Sequence, residues 1–318
     1  MVSFSAQTKN ELARIFPKRR CCQLAELAAL TRMDGTINIS REHKIGLQVT
    51  TENPAVARKI FRLTKMVFQL NTEIRVQRRQ TLKKNNVYNI RLIANPRMGE
   101  ILRELGILDD QGLIMPGIKK SFMKTKCCRQ SYLRGVFLGA GSVNRPEGNY
   151  HLEIITSNLQ YTEALVALMN RFAGIQAKIS SRKDWQIVYL KGSEQIATFL
   201  GSIGAHQALL NFENVRIVKG MRNQVNRLVN CETANLSKTV DASLKQIENI
   251  RLIEDSIGLN KLPSRLKMIA QLRLQNPDIS LKELGKMIHP PVGKSGVNHR
   301  MRKIEEIADK IKNGEKPT

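Results

Sequence analysis

Toward the end of this 318-residue chain, Lys294, Ser295, Asn298, His299, Arg300, Arg302 and Lys303 crowd into ten consecutive positions. Their chemistry suits a nucleic-acid duplex. Asn can pair bidentately with adenine and Arg with guanine, while Lys and Arg meet phosphate without reading sequence. Val297, Met301, Ile304 and Ala308 recur among them at helical spacing, so the polar groups share the opposite face of one helix. Ser295 is expected to cap that helix.

Two shorter helices must position it. Ser280-Leu281-Lys282-Glu283 has the pattern of a capping box, with Leu281, Leu284 and Ile288 facing inward and Lys282 and Lys286 outward. Leu262-Pro263-Ser264 opens an earlier helix carrying Leu266, Ile269, Ala270 and Leu274, which Asn276-Pro277-Asp278 breaks. Three helices in this order predict a helix-turn-helix that presents the N-terminal turns of its last helix to a major groove. The expected DNA contacts are Ser280, Lys282, Lys286, Lys294, Ser295, Asn298, His299, Arg300, Arg302 and Lys303, and Arg265 and Lys267 add candidates for phosphate. The competing reading is a small helical bundle with a solvated basic face.

Composition points the same way. Lys and Arg number 52 against 27 Asp and Glu, a formal charge of +25, which implies a polyanionic partner. A membrane surface would call for a basic amphipathic helix with aromatic anchors, and the single Trp185 lies in a strand-like segment. No apolar run is long enough to span a bilayer, and the first residues lack a secretory pattern, so the expected location is cytoplasmic and nucleoid-associated. Five cysteines, at 21, 22, 127, 128 and 231, include no CxxC pair. They read as small buried hydrophobes, with a redox or metal role as the other reading.

The two Cys-Cys pairs open an internal repeat. Cys21 to Thr36 and Cys127 to Ser142 each read as a helix ended by glycine, which tolerates the left-handed conformation. Segments 44–52 and 150–156 alternate like strands, and 54–70 and 159–172 read as amphipathic helices. Hairpins follow at 72–77 with 86–93 and at 176–181 with 186–190, then closing helices near 101–106 and 196–201. Each copy is thus helix, two strands, helix, two strands, helix, an α+β order, after a leader helix at 8–15.

Leu27 to Gly35 (LAALTRMDG) and Leu133 to Gly141 (LRGVFLGAG) resemble two degenerate LAGLIDADG motifs. The resemblance implies that these helices pack together on a pseudo-twofold axis through Ala28, Ala29, Gly135 and Gly139, with Met33 departing from the small-residue pattern. It also implies two saddle-shaped sheets and, in the nucleases of that family, an acidic residue closing each helix to hold a divalent metal. Here Asp34 fills the first acidic position and Ala140 the second. A methyl group cannot bind Mg²⁺, so no catalytic residue, metal or cofactor is expected, and Asp34 reads as a helix-end or turn residue.

A degenerate double LAGLIDADG domain before a helix-turn-helix resembles the WhiA family. Tyr132-Leu133-Arg134-Gly135, Arg222-Asn223-Gln224-Val225-Asn226-Arg227, Asn230 to Asn235 and Val292 to Arg300 carry the likeness. It implies a DNA-binding protein without nuclease activity, tied to sporulation in actinobacteria and to cell division and chromosome segregation in other Gram-positive bacteria. The expected organisation is a double LAGLIDADG-like domain at 1–206 (repeats near 21–109 and 127–206), a helical linker at 207–260 and a reader at 261–318. Leu244 to Leu252 reads as a separate helix within the linker, stopped by Gly258. Lys44, Arg75 to Arg79, Lys83-Lys84 and Lys178 to Lys183 put cations on the saddle. Those runs suit duplex DNA, a second regulatory protein or solvent alike. Lys219, Arg222 and Arg227 suit either phosphate or interdomain hydrogen bonds.

Overall fold

A computed structural model describes residues 2–39, 45–78, 86–92 and 95–314. Lys44, Arg79, Lys83 and Lys84 lie outside the described residues. The chain forms two compact units, Met1–Gly220 and Met221–Thr318. No helix among the described residues is long and apolar enough to cross a membrane.

The first unit opens with α1 (Phe4–Leu12) and then runs twice through one plan. The first pass is α2 (Arg20–Asp34), β1 (Gly35–Ile39), β2 (Ile45–Thr51), α3 (Pro54–Phe68), β3 (Thr72–Arg78), β4 (Asn86–Leu92) and α4 (Met98–Glu104). After α5 (Lys120–Lys124), the second is α6 (Lys126–Ala140), β5 (Gly141–Val143), β6 (Leu152–Thr156), α7 (Leu159–Met169), β7 (Lys178–Arg182), β8 (Trp185–Leu190) and α8 (Ser193–Ile203). The two antiparallel sheets share one strand order, β1-β2-β4-β3 and β5-β6-β8-β7. Alternation sets which face is buried: Leu47 and Val49 are covered, while Gln48 and Thr50, which alternate with them, are half-buried. The outer neighbours interlock, with Thr50 and Gln48 both donating to Asn89 Oδ1 at 2.9 and 3.1 Å.

Three local expectations need correction. The leader helix starts at Phe4 rather than Thr8, because the Ser3 hydroxyl accepts from the Ala6 amide and caps it earlier. The glycines that end α2 and α6 are extended, with φ of −88° and −79°, so left-handed freedom is not what selects them. Space is: a Cβ on Gly35 would lie 2.1 Å from the Thr31 carbonyl oxygen, and one on Gly141 2.7 Å from Phe137 Cα. Finally, Leu244 to Leu252 is not a separate helix but part of α9 (His206–Ser256), 51 residues long. No proline interrupts that stretch, and Gly220 alone does not stop a helix. Gly258, at φ +81°, follows its end.

Helices α2 and α6 pack face to face along their lengths. A Cβ on Gly135 would sit 2.4 Å from the Glu26 carbonyl oxygen, and one on Gly139 2.6 Å from Met33 Cβ. These two glycines therefore allow the close approach that the small-residue pattern implied, and Ala28 and Ala29 are buried beside them.

The second unit holds the C-terminal part of α9, a 3-10 turn (Leu259–Lys261), α10 (Ser264–Gln275), α11 (Leu281–Lys286) and α12 (Lys294–Lys312). Its core joins Leu266, Ile269, Leu284, Ile288, Val297, Met301, Ile304 and Ala308 to Ile250 and Ile253 of α9.

Candidate nucleic-acid interface

Helices α11 and α12 are held at a fixed turn by backbone contacts. Val292 N–H donates to the Gly285 carbonyl at 2.9 Å, and a Cβ on Gly285 would lie 2.0 Å from the Val292 carbonyl oxygen. On the other side of α11, buried Arg273 donates to the Ile279 carbonyl at 2.7 Å and shapes the loop from α10. Burial holds its guanidinium below its ordinary pKa. The capping box is present: Ser280 N–H donates to Glu283 Oε2 at 2.9 Å, and Glu283 N–H to Ser280 Oγ at 3.4 Å. The Ser280 N–H, and then the Ser280 hydroxyl donating to the same Oε2 at 2.8 Å, hold the Glu283 carboxyl below its ordinary pKa. These bonds also occupy the Ser280 hydroxyl, so its part in the interface is to start α11.

Ser295 does not cap α12. The helix begins two residues earlier than that cap would set it, at Lys294, with Gly293 extended at the cap position and Val297 N–H bonded to its carbonyl at 3.1 Å. That places Ser295 in the first turn, exposed beside Lys294. His299, Arg302 and Lys303 are also exposed, as are Lys282 and Lys286 on α11. Arg300 and Asn298 are half-buried.

Asn298 and Arg302 line a cleft of about 230 Å³ against the end of α9, opposite Ala242, Lys245, Gln246 and Asn249. The Lys245–Glu305 ion pair at 2.6 Å and the Lys312–Asn249 hydrogen bond at 3.0 Å cross between α9 and α12. Lys245 and Gln246 therefore join the candidate surface, although sequence reasoning left them in a linker. Ile250 and Ile253, three apart on the apolar side of that segment, were the signal that could have placed them. Lys219 lies in the first unit, donating to the Gly148 carbonyl at 2.7 Å with its ammonium 4.8 Å from the Tyr150 ring centre.

Among the described residues, carboxylates accompany some of the cations of the saddle. Arg75, on the outer face, is paired with Glu73 at 3.3 Å, and Glu153 lies on the outer face of the second sheet, bonded by Ser142 at 3.2 Å. Lys178 and Arg182 remain exposed there, opposite Tyr189 and Trp185 respectively.

Where α2 and α6 end, the residues do not fit a pair of divalent ions. Asp34 is the last residue of α2 and Ala140 that of α6, and the Lys9 ammonium from α1 donates to the Gly139 carbonyl at 3.1 Å. An ammonium thus occupies the end of the helix pair where a nuclease of this type holds metal. Burial raises the Asp34 carboxyl to about 6, and the nearby Lys9 opposes the rise. Burial likewise lowers the Lys9 ammonium, and Asp34 opposes that. The sign follows: above the unfolded carboxyl value of 3.8, only the folded chain keeps the proton. This contribution is complete below that value and is lost as pH rises through about 6. A ¹³C-detected titration of Asp34 is expected to show a midpoint near 6, moving higher in Lys9→Met. A midpoint in the ordinary carboxylate range in both proteins would refute the buried pair.

Fold and surface together define a class: a two-sheet LAGLIDADG-like body without its paired acids, continued by a helix-turn-helix. Comparison with known proteins gives the family. The model for the WhiA N-terminal LAGLIDADG-like domain matches residues 20–108, that for the WhiA LAGLIDADG-like domain 129–222, and that for the WhiA C-terminal HTH domain 225–308. A "Probable cell division protein WhiA" of Heliobacterium modesticaldum is 61% identical over 97% of this chain and 96% of its own length. One from Desulfitobacterium hafniense is 58% identical over 98% and 96%. The crystal structure of full-length DUF199/WhiA from Thermatoga maritima is similar at a TM-score of 0.60 and 25% identity, covering 97% of this chain and 99% of that one. The chain belongs to the WhiA family.

Proposed function

We propose that this chain is a sequence-specific DNA-binding regulator that reads duplex DNA through its helix-turn-helix and cleaves none. Like its relatives, which are named cell division proteins, it would act in cell division and chromosome segregation, at the nucleoid. The observation that carries this reading is the surface of α12. Its apolar stripe is buried, while Lys294, Ser295, His299, Arg302 and Lys303 stand exposed on its first turns, beside Lys282 and Lys286 of α11. N-terminal turns of a recognition helix are where base edges are met, and the preceding helix meets the backbone. In domain terms, we assign 1–206 to the LAGLIDADG-like body, 207–260 to the connecting helix and 261–318 to the reader, with Ile250 and Ile253 of the connecting helix completing the reader's core.

Ala140, at the end of α6 as Asp34 is at the end of α2, offers no oxygen, and Lys9 supplies the positive charge there without a metal. Magnesium-dependent nicking of plasmid that vanished in Asp34→Ala would overturn this half.

The reader is tested by titration against its genomic footprint. Arg302→Ala and Asn298→Ala are expected to cost about 1–3 kcal/mol each in discrimination between specific and scrambled duplex. Lys286→Ala is expected to weaken both alike and to reduce the salt slope by about 1. A footprint and salt slope untouched by all three substitutions would place DNA binding elsewhere.

A further inference from the structure

Three of the four cysteines of the repeat meet in space, with the fourth beside them in sequence. Cys21 and Cys22 lie in the first turn of α2, and Cys127 and Cys128 in the first turn of α6. Pseudo-twofold packing brings the two turns together. The Cys22 and Cys128 sulfurs are 4.0 Å apart, those of Cys21 and Cys22 3.9 Å, and the Cys21, Cys22 and Cys128 sulfurs all fall within 4.8 Å of one another. The Cys127 sulfur lies outside that trio, 3.4 Å from the Thr125 hydroxyl at the start of the same helix.

We propose that Cys21, Cys22 and Cys128, joined by a turn of the neighbouring Cys127 side chain, form a binding site for a thiophilic divalent cation of the zinc class, which fastens the N-terminal ends of α2 and α6 to each other. Three observations support it. First, the spacing fits. Four thiolates at about 2.3 Å from a tetrahedral ion have sulfurs separated by about 3.8 Å, which the 3.9 and 4.0 Å separations nearly match. A disulfide would need them at about 2.0 Å.

Second, the charge fits. Four thiolates around a divalent ion carry net negative charge, and two helix N-termini point their partial positive charge at it. Arg19 adds a full charge close by. Among the described residues, no Asp or Glu lies in the first turn of either helix. Third, the ligand set is symmetric, one vicinal pair from each copy, which small-hydrophobe packing does not require.

The site is distinct from the helix ends where nucleases of this fold hold metal. Each helix is 15 residues long, so the thiols lie about 20 Å from Asp34. Binding replaces four S–H bonds by four metal–sulfur bonds, releases up to four protons to solvent and involves no electron transfer. The effect would be structural: with the ion bound, α2 and α6 cannot separate at one end without breaking coordination.

The test uses the full chain under reductant, with Cys21→Ser and Cys127→Ser as variants because these two cysteines are the less buried of each pair. Wild type prepared with zinc is expected to hold about one ion per chain. Cobalt in its place should give a thiolate-to-metal charge-transfer band and the visible bands of a tetrahedral site. Zinc addition should acidify a weakly buffered solution and raise the melting midpoint of the aromatic circular dichroism. Each variant should keep that aromatic signal yet bind zinc at least about tenfold more weakly. Wild type that takes up no more cobalt than the double variant would overturn the proposal. So would a Cys22–Cys128 disulfide in a non-reducing peptide map of protein offered the metal.

Discussion

Glu26→Ala is expected to destabilise the first unit by about 3–5 kcal/mol, the largest single effect of any charge among the described residues. Glu26 is fully buried between the paired helices. One carboxylate oxygen meets the Lys59 ammonium of α3 at 2.5 Å, and both accept from the Arg134 guanidinium of α6 at 3.0 Å. Lys59 is fully buried too. Burial pulls its ammonium down to about 8, and Glu26 opposes the fall. Alanine would leave two cations facing each other in a dry interior, which costs far more than the pair's net contribution.

The loss should shrink in alkali. With Glu26 gone, folded Lys59 binds its proton still more weakly, whereas unfolded Lys59 keeps it to about 10.4. The unfolded state then binds more protons, so the variant's stability rises with pH. Arg134 cannot follow, because its guanidinium does not deprotonate in proteins. Replacing all three charges by apolar residues is not expected to restore stability. Lys59 also donates to the Leu12 and Ile15 carbonyls, and Arg134 to the Ile203 carbonyl. Those main-chain oxygens would be left unpaired.

The measurement is straightforward because every Trp, Tyr and Phe lies at or before Phe212. Aromatic circular dichroism therefore follows the first unit alone during urea unfolding. A Glu26→Ala chain within about 1 kcal/mol of wild type at neutral pH would show that the cluster contributes little.

Gly285→Ala is the second large effect and belongs to the other unit. The added methyl would lie 2.0 Å from the Val292 carbonyl oxygen, a backbone atom that no rotamer change can move. Relief requires α11 and the 287–293 loop to separate, which breaks the Val292–Gly285 hydrogen bond and carries the start of α12 with it. Overpacking of this severity costs about 3 kcal/mol or more. The expected result is an unchanged aromatic signal, diminished far-ultraviolet helix signal and specific DNA affinity reduced to the level of scrambled duplex. Gly99→Ala, where nothing lies within 4 Å of the added methyl, is the control. Gly285→Ala protein with wild-type affinity would mean that the turn does not position the reader.

The repeat, the hairpins and the three reader helices were legible because each rests on a period or a local pairing. Alternation marks Leu47 and Val49, a seven-residue pattern of apolar positions marks Val297 to Ile304, and Ser280 and Glu283 cap within one turn. The missing acid at Ala140 needed only alignment of one copy with the other. Boundaries failed where a single cap decided them, as at Ser3 and Gly293. The glycines closing α2 and α6 were placed correctly for the wrong reason, since the crowding of Thr31 and Phe137 is invisible without coordinates.

By itself, then, the order of residues determined a doubled α+β body, a trailing three-helix unit and the acid–methyl mismatch between Asp34 and Ala140. Only the tertiary structure decided which charges are buried. In a linear pattern Glu26, Lys59 and Lys9 look like any solvated charge, because hydropathy scores a residue without its partner. Glu26 finds Arg134 at 108 residues' distance, and Lys9 finds Gly139 at 130. The convergence of the Cys21, Cys22 and Cys128 thiols, and the cleft that sets Asn298 against α9, arise from the same cause. Helix packing closes long loops, and nothing periodic in the chain announces which side chains will meet when they close.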